Sequence, residues 1–352
     1  MAFEGRKFLI ITDAWHPQVN GIVRTYETII PILEAQGHTV QIIHPKQFSR
    51  QLPMPGYPEI RLAVFPYRHL KRLIEAYEFD TLHIATEGPL GYAARRYCRK
   101  KNIRFSTCFH THHPVYAAMR VEKFMPGLDH CTFNLGIWVL RKFHSAAAQV
   151  MVGTSSLEEQ LRSWHFKMPL PRLGCGVLTN VFNPGGPKAL QDLPRPIALY
   201  VGRVAIEKNI ESFLSMPWHG STVVVGDGPA LNALKKLFPN TYFFGKKTGH
   251  ELASYYRGAD VFVFPSKTDT FGMVIIEALS CGIPVAAYPV MGPKDIITQP
   301  FLGCMDMDLS NAAKHALNAP GTKTKRYSYI QNHYTWEIVA QQFIDGTVLV
   351  SE

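Results

Sequence analysis

The chain has no run of about 18 consecutive apolar residues, so no segment reads as a bilayer-spanning helix. Its six cysteines stand at 98, 108, 131, 175, 281 and 304. No two of them are two residues apart, which gives no support to a zinc ribbon or a dithiol motif. Several of them lie in apolar runs and read instead as small buried hydrophobes. There is no short-period repeat and no low-complexity tract. The amino terminus runs straight into Lys7-Phe8-Leu9-Ile10-Ile11, too short for a signal-peptide core. These features together predict a cytoplasmic or peripheral protein. The remaining shortage is of acid. Residues 1–180 hold 22 basic and 13 acidic groups, a net of +9, while residues 181–352 hold 15 and 14, a net of +1. Whatever the first half faces is therefore expected to be anionic.

What is present is 352 residues, 46% hydrophobic and 18% charged, enough for two packed domains. Phe8–Thr12, Thr39–Ile43, Thr81–Ala85 and Phe105–His110 are short apolar runs that read as buried strands. Helical spacing over Ile22–Gln36, Leu70–Tyr77 and Leu90–Lys101 alternates with them. The alternation restarts after a Pro- and Gly-rich stretch at Pro169–Pro196. Strands are expected at Ile197–Val201, Thr222–Val225, Tyr242–Phe244, Val261–Phe264 and Val285–Tyr288, separated by helical segments. This predicts an α/β chain with two doubly wound parallel sheets and a cleft between them. Ligands of such sheets sit outside the carboxyl ends of the strands. Chemistry is therefore expected in the loops after Ile11, Ala85, Phe109, Val201, Val225 and Phe264.

In the second half, Gly202-Arg203-Val204-Ala205-Ile206-Glu207-Lys208-Asn209 follows a strand and opens a helix. Gly202 lets backbone approach a ligand, and Arg203 and Lys208 can converge on an anion. A solvated charge pair beside Glu207 is the other reading. Gly226-Asp227-Gly228-Pro229 also follows a strand, although alone it is only a turn. After Phe264-Pro265-Ser266 come Asp269, Phe271, Gly272 and, on a helix, Glu277. A helical carboxylate such as Glu277 can accept from two vicinal hydroxyls of a ribose, and either acid could equally be a cap or a surface charge.

In the first half, His16-Pro17-Gln18-Val19-Asn20-Gly21-Ile22 follows the first strand. It lacks G-x-G-x-x-G, so the nicotinamide fingerprint is absent. Gly21 at a helix start could let backbone reach a diphosphate. Phe109-His110-Thr111-His112-His113-Pro114 ends another strand. Its three histidines invite a metal reading, but no acidic partner is evident and no metal is expected. Thr86-Glu87-Gly88-Pro89 ends the strand before, with Glu87 a candidate acceptor contact or an ordinary loop acid. The basic excess gathers at Lys71, Arg72, Arg95, Arg96, Arg99, Lys100, Lys101 and Arg104. Arg120, Lys123, Arg141 and Lys142 then flank an apolar stretch that includes Val115, Tyr116, Met119 and Phe124. Such a pattern suits an interface with anionic lipid, or a solvated face over a core stripe. No nucleic-acid-binding signature is present.

The order Gly-Arg-x-x-x-Glu-Lys, Gly-Asp-Gly-Pro, and Pro-Ser-x-x-Asp-x-Phe-Gly-x-x-x-x-Glu-Ala-x-x-x-Gly-x-Pro-Val resembles the family-4 glycosyltransferases of the GT-B fold, which carry two Rossmann-like domains. The motifs match over roughly residues 200–295. The resemblance implies a retaining hexosyltransferase that uses a nucleotide diphosphate sugar, UDP-linked or GDP-linked, without a cofactor or an essential metal. It implies that Arg203 and Lys208, with Gly202, hold the diphosphate and that Glu277 holds the ribose. Asp269 and the Phe271-Gly272 backbone would hold the transferred sugar, with Gly226 and Asp227 also on the donor side. Asn20 and Gly21 would reach the donor phosphate, and His110 would lie near the reacting sugar. Glu87, His112 and Tyr116 would face the acceptor. The family usually has Glu where this chain has Asp269, one methylene shorter. Thr268-Asp269-Thr270-Phe271-Gly272 is similar to the bacterial branch that glycosylates membrane lipids. The expected acceptor is therefore a lipid such as diacylglycerol, with an anionic membrane surface as partner and a peripheral site on the inner face of the membrane. A polysaccharide, lipopolysaccharide or soluble acceptor is the alternative, and a sugar-nucleotide 2-epimerase the more distant one. The expected domains are 1–183, with 335–352 returning to it, and 184–334. The segment 170–196 would be the hinge.

Overall fold

The computed structural model describes residues 5–17, 20–54, 57–110 and 129–351. It divides into two compact units, Met1–Gly174 with Val339–Glu352, and Cys175–Ile338.

The first unit is built on a five-stranded sheet in the order β2-β1-β5-β6-β7. These strands are β1 (Lys7–Ile11), β2 (Thr39–Ile43), β5 (Thr81–Ile84), β6 (Ser106–Phe109) and β7 (Gln149–Val152), and every pairing is parallel. Phe8 to Ile11 are at most 1% exposed, as an unbroken apolar run in a central parallel strand demands. Helices α1 (Gly21–Ala35), α2 (Tyr67–Ala76), α3 (Pro89–Lys101), α4 (Asp129–His144) and α5 (Ser155–Ser163) accompany the sheet. Asn20 caps α1 by accepting from Val23 N, and Thr154 caps α5 by accepting from Leu157 N. An antiparallel hairpin of β3 (Gln51–Met54) and β4 (Tyr57–Ala63) was not expected from sequence. Pro53 and Pro58 in so short a stretch hide its strand character.

The second unit carries a six-stranded sheet in the order β10-β9-β8-β11-β12-β13. Its strands are β8 (Ile197–Val201), β9 (Ser221–Val225), β10 (Tyr242–Phe243), β11 (Val261–Phe264), β12 (Val285–Ala287) and β13 (Gly303–Met305), again all parallel. Helices α6 (Ile210–Leu214), α7 (Leu231–Leu237), α8 (Gly249–Gly258), α9 (Met273–Ser280), α10 (Leu309–Leu317) and α11 (Lys323–His333) complete it. One apolar layer gathers Leu199, Val223, Phe262, Tyr256, Ile276 and Val285, and the other gathers Ala198, Val224, Val263, Phe213 and Ala313. Burying each large member is worth ~1.5–3 kcal/mol relative to leaving it in water. The two alternating faces of the sheet are both covered, which is why its strands read as continuous apolar runs.

The units divide at 174/175 and at 338/339, not at the expected 183/184 and 334/335. Val177 N donates to Tyr334 O, and a Cβ on Gly176 would meet Trp336 at 2.7 Å, so residues 175–183 and 335–338 pack within the second unit. The helical spacing that runs over Tyr329–Phe343 in the sequence is broken in the structure. α11 ends at His333, and α12 (Trp336–Asp345) starts after Tyr334 and Thr335. From Val339 onward the chain belongs to the first unit, where Phe343 packs on Phe8, Tyr26 and His83. In both sheets the strand order reverses at the first strand: β1 lies between β2 and β5, and β8 between β9 and β11. The loops at those carboxyl ends hold most of the residues singled out above.

Candidate active site

In the second unit, β8 ends at Val201, Gly202 follows with φ +153°, and the loop turns back into α6. Tyr200 is 3% exposed, and its hydroxyl donates to Arg203 O at 2.8 Å. Burial, and then the nearby Asp269 charge, push that phenol above its ordinary pKa, so it stays protonated and holds the loop. The Arg203 side chain is 56% exposed, with an NH1 nitrogen 3.8 Å from Glu207 Oε1. Lys208 donates to Asp269 Oδ1, an ion pair that joins the loop after β8 to the loop after β11. Asn209 takes a left-handed conformation, φ +52°, and its side-chain amide donates to Pro265 O at 3.0 Å. Thr268 Oγ1 bonds Glu207 O at 3.4 Å. Two loops 61 residues apart are thus stitched side by side, bringing Lys208 and Asp269 into contact at the carboxyl ends of β8 and β11, with Arg203 and its partner Glu207 on the same loop as Lys208.

Glu277 lies on α9 and is 4% exposed. The hydroxyl of fully buried Tyr256 donates to its Oε2 at 3.1 Å, fixing the carboxylate on one side. Gly272 is the residue before α9, with φ +92°, which only glycine adopts without strain. Ser266, 2% exposed at the end of β11, has a hydroxyl with no hydrogen-bond partner among the described residues.

Gly226 and Asp227 have a packing explanation of their own. A Cβ on Gly226 would lie 1.9 Å from Gly202 O, and Val204 N donates to Asp227 O at 2.9 Å. Asp227 Oδ1 accepts from Gly228 N at 2.7 Å. The Gly-Asp-Gly turn is what allows the loops after β8 and β9 to lie in contact.

The first unit treats its carboxyl edge differently. Asp13, which the sequence reading did not single out, is 5% exposed just past β1. Its carboxylate accepts from Leu90 N at 2.9 Å and Gly91 N at 3.2 Å, and from Thr86 Oγ1 at 3.1 Å. It therefore caps α3 from another strand. Burial raises its pKa to about 6 against those hydrogen bonds. A Cβ on Gly88 would meet Asp13 Cγ at 2.4 Å, so that glycine makes room for the carboxylate.

His110 follows β6. Its Nε2 is 3.3 Å from the Tyr26 hydroxyl, which also lies 2.8 Å from His83 Nε2. His83 Nδ1 is 2.9 Å from Ser106 Oγ. Desolvation lowers His83 to about 3 and His110 to about 4, so both rings are neutral at physiological pH. A hydroxyl between two imidazoles can donate to one and accept from the other, so Tyr26 couples the tautomers of the two rings. Sequence gave no signal for Tyr26, His83 or Ser106, each of which reads as ordinary helix or strand. Glu87 Oε1 is 3.2 Å from Nε2 of fully buried His144, whose Nδ1 is 2.8 Å from Thr107 Oγ1. Asn20 serves as the α1 cap described above, and a Cβ on Gly21 would meet nothing within 4 Å. His112 and Tyr116 lie outside the described residues, as do Arg120 and Lys123. Among the described residues no three metal-ligating side chains converge.

Comparison with known proteins identifies the family and the fold. Residues 19–179 match the family described as Glycosyltransferase Family 4, and residues 187–305 match Glycosyl transferases group 1. The chain is 26% identical over 323 residues to sulfoquinovosyl transferase SQD2 of Arabidopsis thaliana, covering 80% of this chain but only 59% of that protein. It is 26% identical to a GDP-mannose-dependent alpha-mannosyltransferase of Mycobacterium tuberculosis, covering 84% and 82%. It is 25% identical to the alpha-monoglucosyldiacylglycerol synthase of Streptococcus pneumoniae, covering 88% and 78%. Among solved structures, sucrose-phosphate synthase from Thermosynechococcus elongatus superposes with a TM-score of 0.72 at 22% identity, covering 97% and 98%. The chain belongs to the glycosyltransferases of the GT-B fold, with family 4 matched by its first half and group 1 by its second.

Proposed function

We propose that this chain moves a sugar from a nucleotide diphosphate sugar to a membrane lipid such as diacylglycerol, with retention at the anomeric carbon. The observation that carries the donor half is the Lys208–Asp269 pair where β8 and β11 end, with the exposed Arg203 on the same loop as Lys208. The two cations would neutralise the diphosphate as negative charge builds on it. Lys208 would exchange its bond to Asp269 for one to phosphate, freeing the carboxylate for a sugar hydroxyl. Glu277, steadied by Tyr256, would accept from the two ribose hydroxyls. Gly202, Phe271 and Gly272 would offer backbone, and Gly226 and Asp227 would keep that loop in place. In the reaction the bond from the anomeric carbon to the phosphate oxygen breaks. The acceptor oxygen bonds the same face of that carbon, and its proton passes to the departing phosphate. No enzyme nucleophile, metal or cofactor is needed. Neutral His110 would hydrogen-bond the sugar, Asn20 and Gly21 would meet the donor phosphate, and Glu87, His112 and Tyr116 would serve the acceptor.

The lipid acceptor is supported by the Thr-Asp-Thr-Phe-Gly sequence, by the basic first half and by the diacylglycerol synthase among the relatives. The protein would work peripherally at the cytoplasmic face of a membrane. UDP-sugar is the favoured donor, and the printed name of the mannosyltransferase relative makes GDP-mannose the second one to try. The test is incubation with each donor and diacylglycerol-bearing vesicles, followed by mass spectrometry and anomeric NMR of the lipid. A lipid heavier by one sugar, with the donor's anomeric configuration, is expected. Transfer only to a glycan or soluble acceptor would replace the lipid half, and conversion of donor without acceptor would point to an epimerase.

A further inference from the structure

The sequence located positive charge in the first half, and the structure shows where it meets exposed apolar surface. On α4, Leu135, Trp138 and Val139 are 61%, 54% and 36% exposed. With Lys142 they follow the i, i+3, i+4, i+7 spacing of a single helical stripe. The opposite face of the helix already makes the fold, with Leu140, Phe143 and His144 at most 5% exposed. Among the described residues the outer stripe is not needed for packing, and an apolar stripe of this kind on a surface helix marks a contact.

The chemistry around the stripe selects the partner. Lys142 Nζ stands 4.8 Å from the Trp138 ring centroid, an ammonium over the face of an indole. An indole and a long-stemmed cation are the side chains that settle between headgroups and acyl chains. Arg95 on α3 donates to the carbonyls of Lys142 and Phe143 at 2.6 and 2.7 Å, so the basic helix α3 lies against the end of α4. Arg96, Arg99, Lys100 and Lys101 on α3 are exposed, and no acidic residue occurs from 88 to 121. A second copy of this chain would bring the same positive field against itself, which disfavours a symmetric dimer here. We infer that the outer face of α4, flanked by the cations of α3, docks the first unit on an anionic lipid bilayer. This deepens the proposed function, and rests on it only for why a bilayer is met.

The test is flotation of the full chain with phosphatidylcholine vesicles, with and without phosphatidylglycerol. Wild type should bind the anionic vesicles and bind neutral ones much more weakly. The double variant Leu135→Ser with Trp138→Ser should lose at least about ten-fold in binding. Lys142→Gln should lose about five-fold, as one cation near a charged surface contributes. Leu237→Ser, at a position 67% exposed in the second unit, should bind as wild type does. Lipids brominated in the acyl chains should quench the tryptophan fluorescence of wild type more than that of Trp138→Phe, a conservative variant that isolates Trp138 among the five tryptophans. Absence of binding to anionic vesicles, unchanged binding by the folded double variant, or a wild-type dimer that the double variant dissociates would each overturn the inference. Vesicle binding without sugar transfer would leave it standing and sink the proposed function. Sugar transfer without vesicle binding would do the reverse.

Discussion

The two units have the same parallel architecture and opposite electrostatics at the carboxyl edge of the sheet. The second unit leaves its ions partly in water and pairs them: the Lys208 and Asp269 side chains are 28% and 20% exposed, those of Arg203 and Glu207 56% and 43%. The first unit sets its titratable groups among desolvating surroundings: His83 and His110 are pushed down to about 3 and 4 and are neutral near pH 7, and Asp13 is raised to about 6. Paired, half-solvated cations can be re-paired with an incoming anion at low cost. Buried neutral imidazoles cannot, but they offer directed hydrogen bonds to hydroxyls. The contrast teaches that a shared strand order decides where a site lies, while burial decides what kind of group it can handle.

The largest expected effect is on stability, and it separates the units. The histidine pKa values are depressed in the fold, so their contribution is present above pH 6.5 and is lost as pH falls toward 4. Asp13 has the opposite sign. Its folded pKa is raised, so its contribution is full below about pH 4 and lost as pH rises through 6. The two histidines outweigh the one carboxylate, leaving a net loss of roughly 4 kcal/mol at pH 4. Hydrogen exchange across pH 7 to 4 should show the first unit opening before the second. Equal loss of protection in both units would break the comparison.

Next is turnover. Arg203→Ala or Lys208→Ala should lower kcat by about 10²–10³-fold, because each removes a charge directed at the developing anion. Circular dichroism should be unchanged, since both residues are on the loop surface. Near-normal turnover in either variant would end their assignment. Glu277→Gln should act more weakly, raising the donor KM by about ten-fold or more through loss of a charge-assisted bond, with kcat less affected. Smallest is Tyr26→Phe. Loss of one hydroxyl that serves two rings should cost about 1–2 kcal/mol of stability. The imidazole nitrogen shifts of His83 and His110 should move together in NMR spectra, whereas a purely packing role for Tyr26 would leave them unmoved.

Much of this was legible in sequence where the signal is local. Val261–Phe264 is a buried strand on its apolar run alone, and Gly202 to Asn209 announces a strand-to-helix loop by glycine, charge and position. Residues whose partners lie far along the chain gave no such signal. Asp13 caps a helix that starts 76 residues later at Pro89, and nothing near residue 13 hints at that. Tyr26, His83 and Ser106 sit on a helix and two strands with no motif among them. The break at Tyr334 and Thr335 escaped the periodic reading because the apolar spacing continues across it. The exposed stripe of α4 reads in sequence like any core stripe, since periodicity gives a helix its faces but not which face is covered.

The central claim is that the second unit holds an anionic donor by charge that the first unit does not supply. Calorimetric binding of UDP and GDP to wild type, Arg203→Ala and Lys208→Ala tests it most directly. The account predicts binding of at least one nucleotide, weakened by salt and reduced at least about ten-fold in each variant. Equal, salt-insensitive affinity in all three proteins would contradict it.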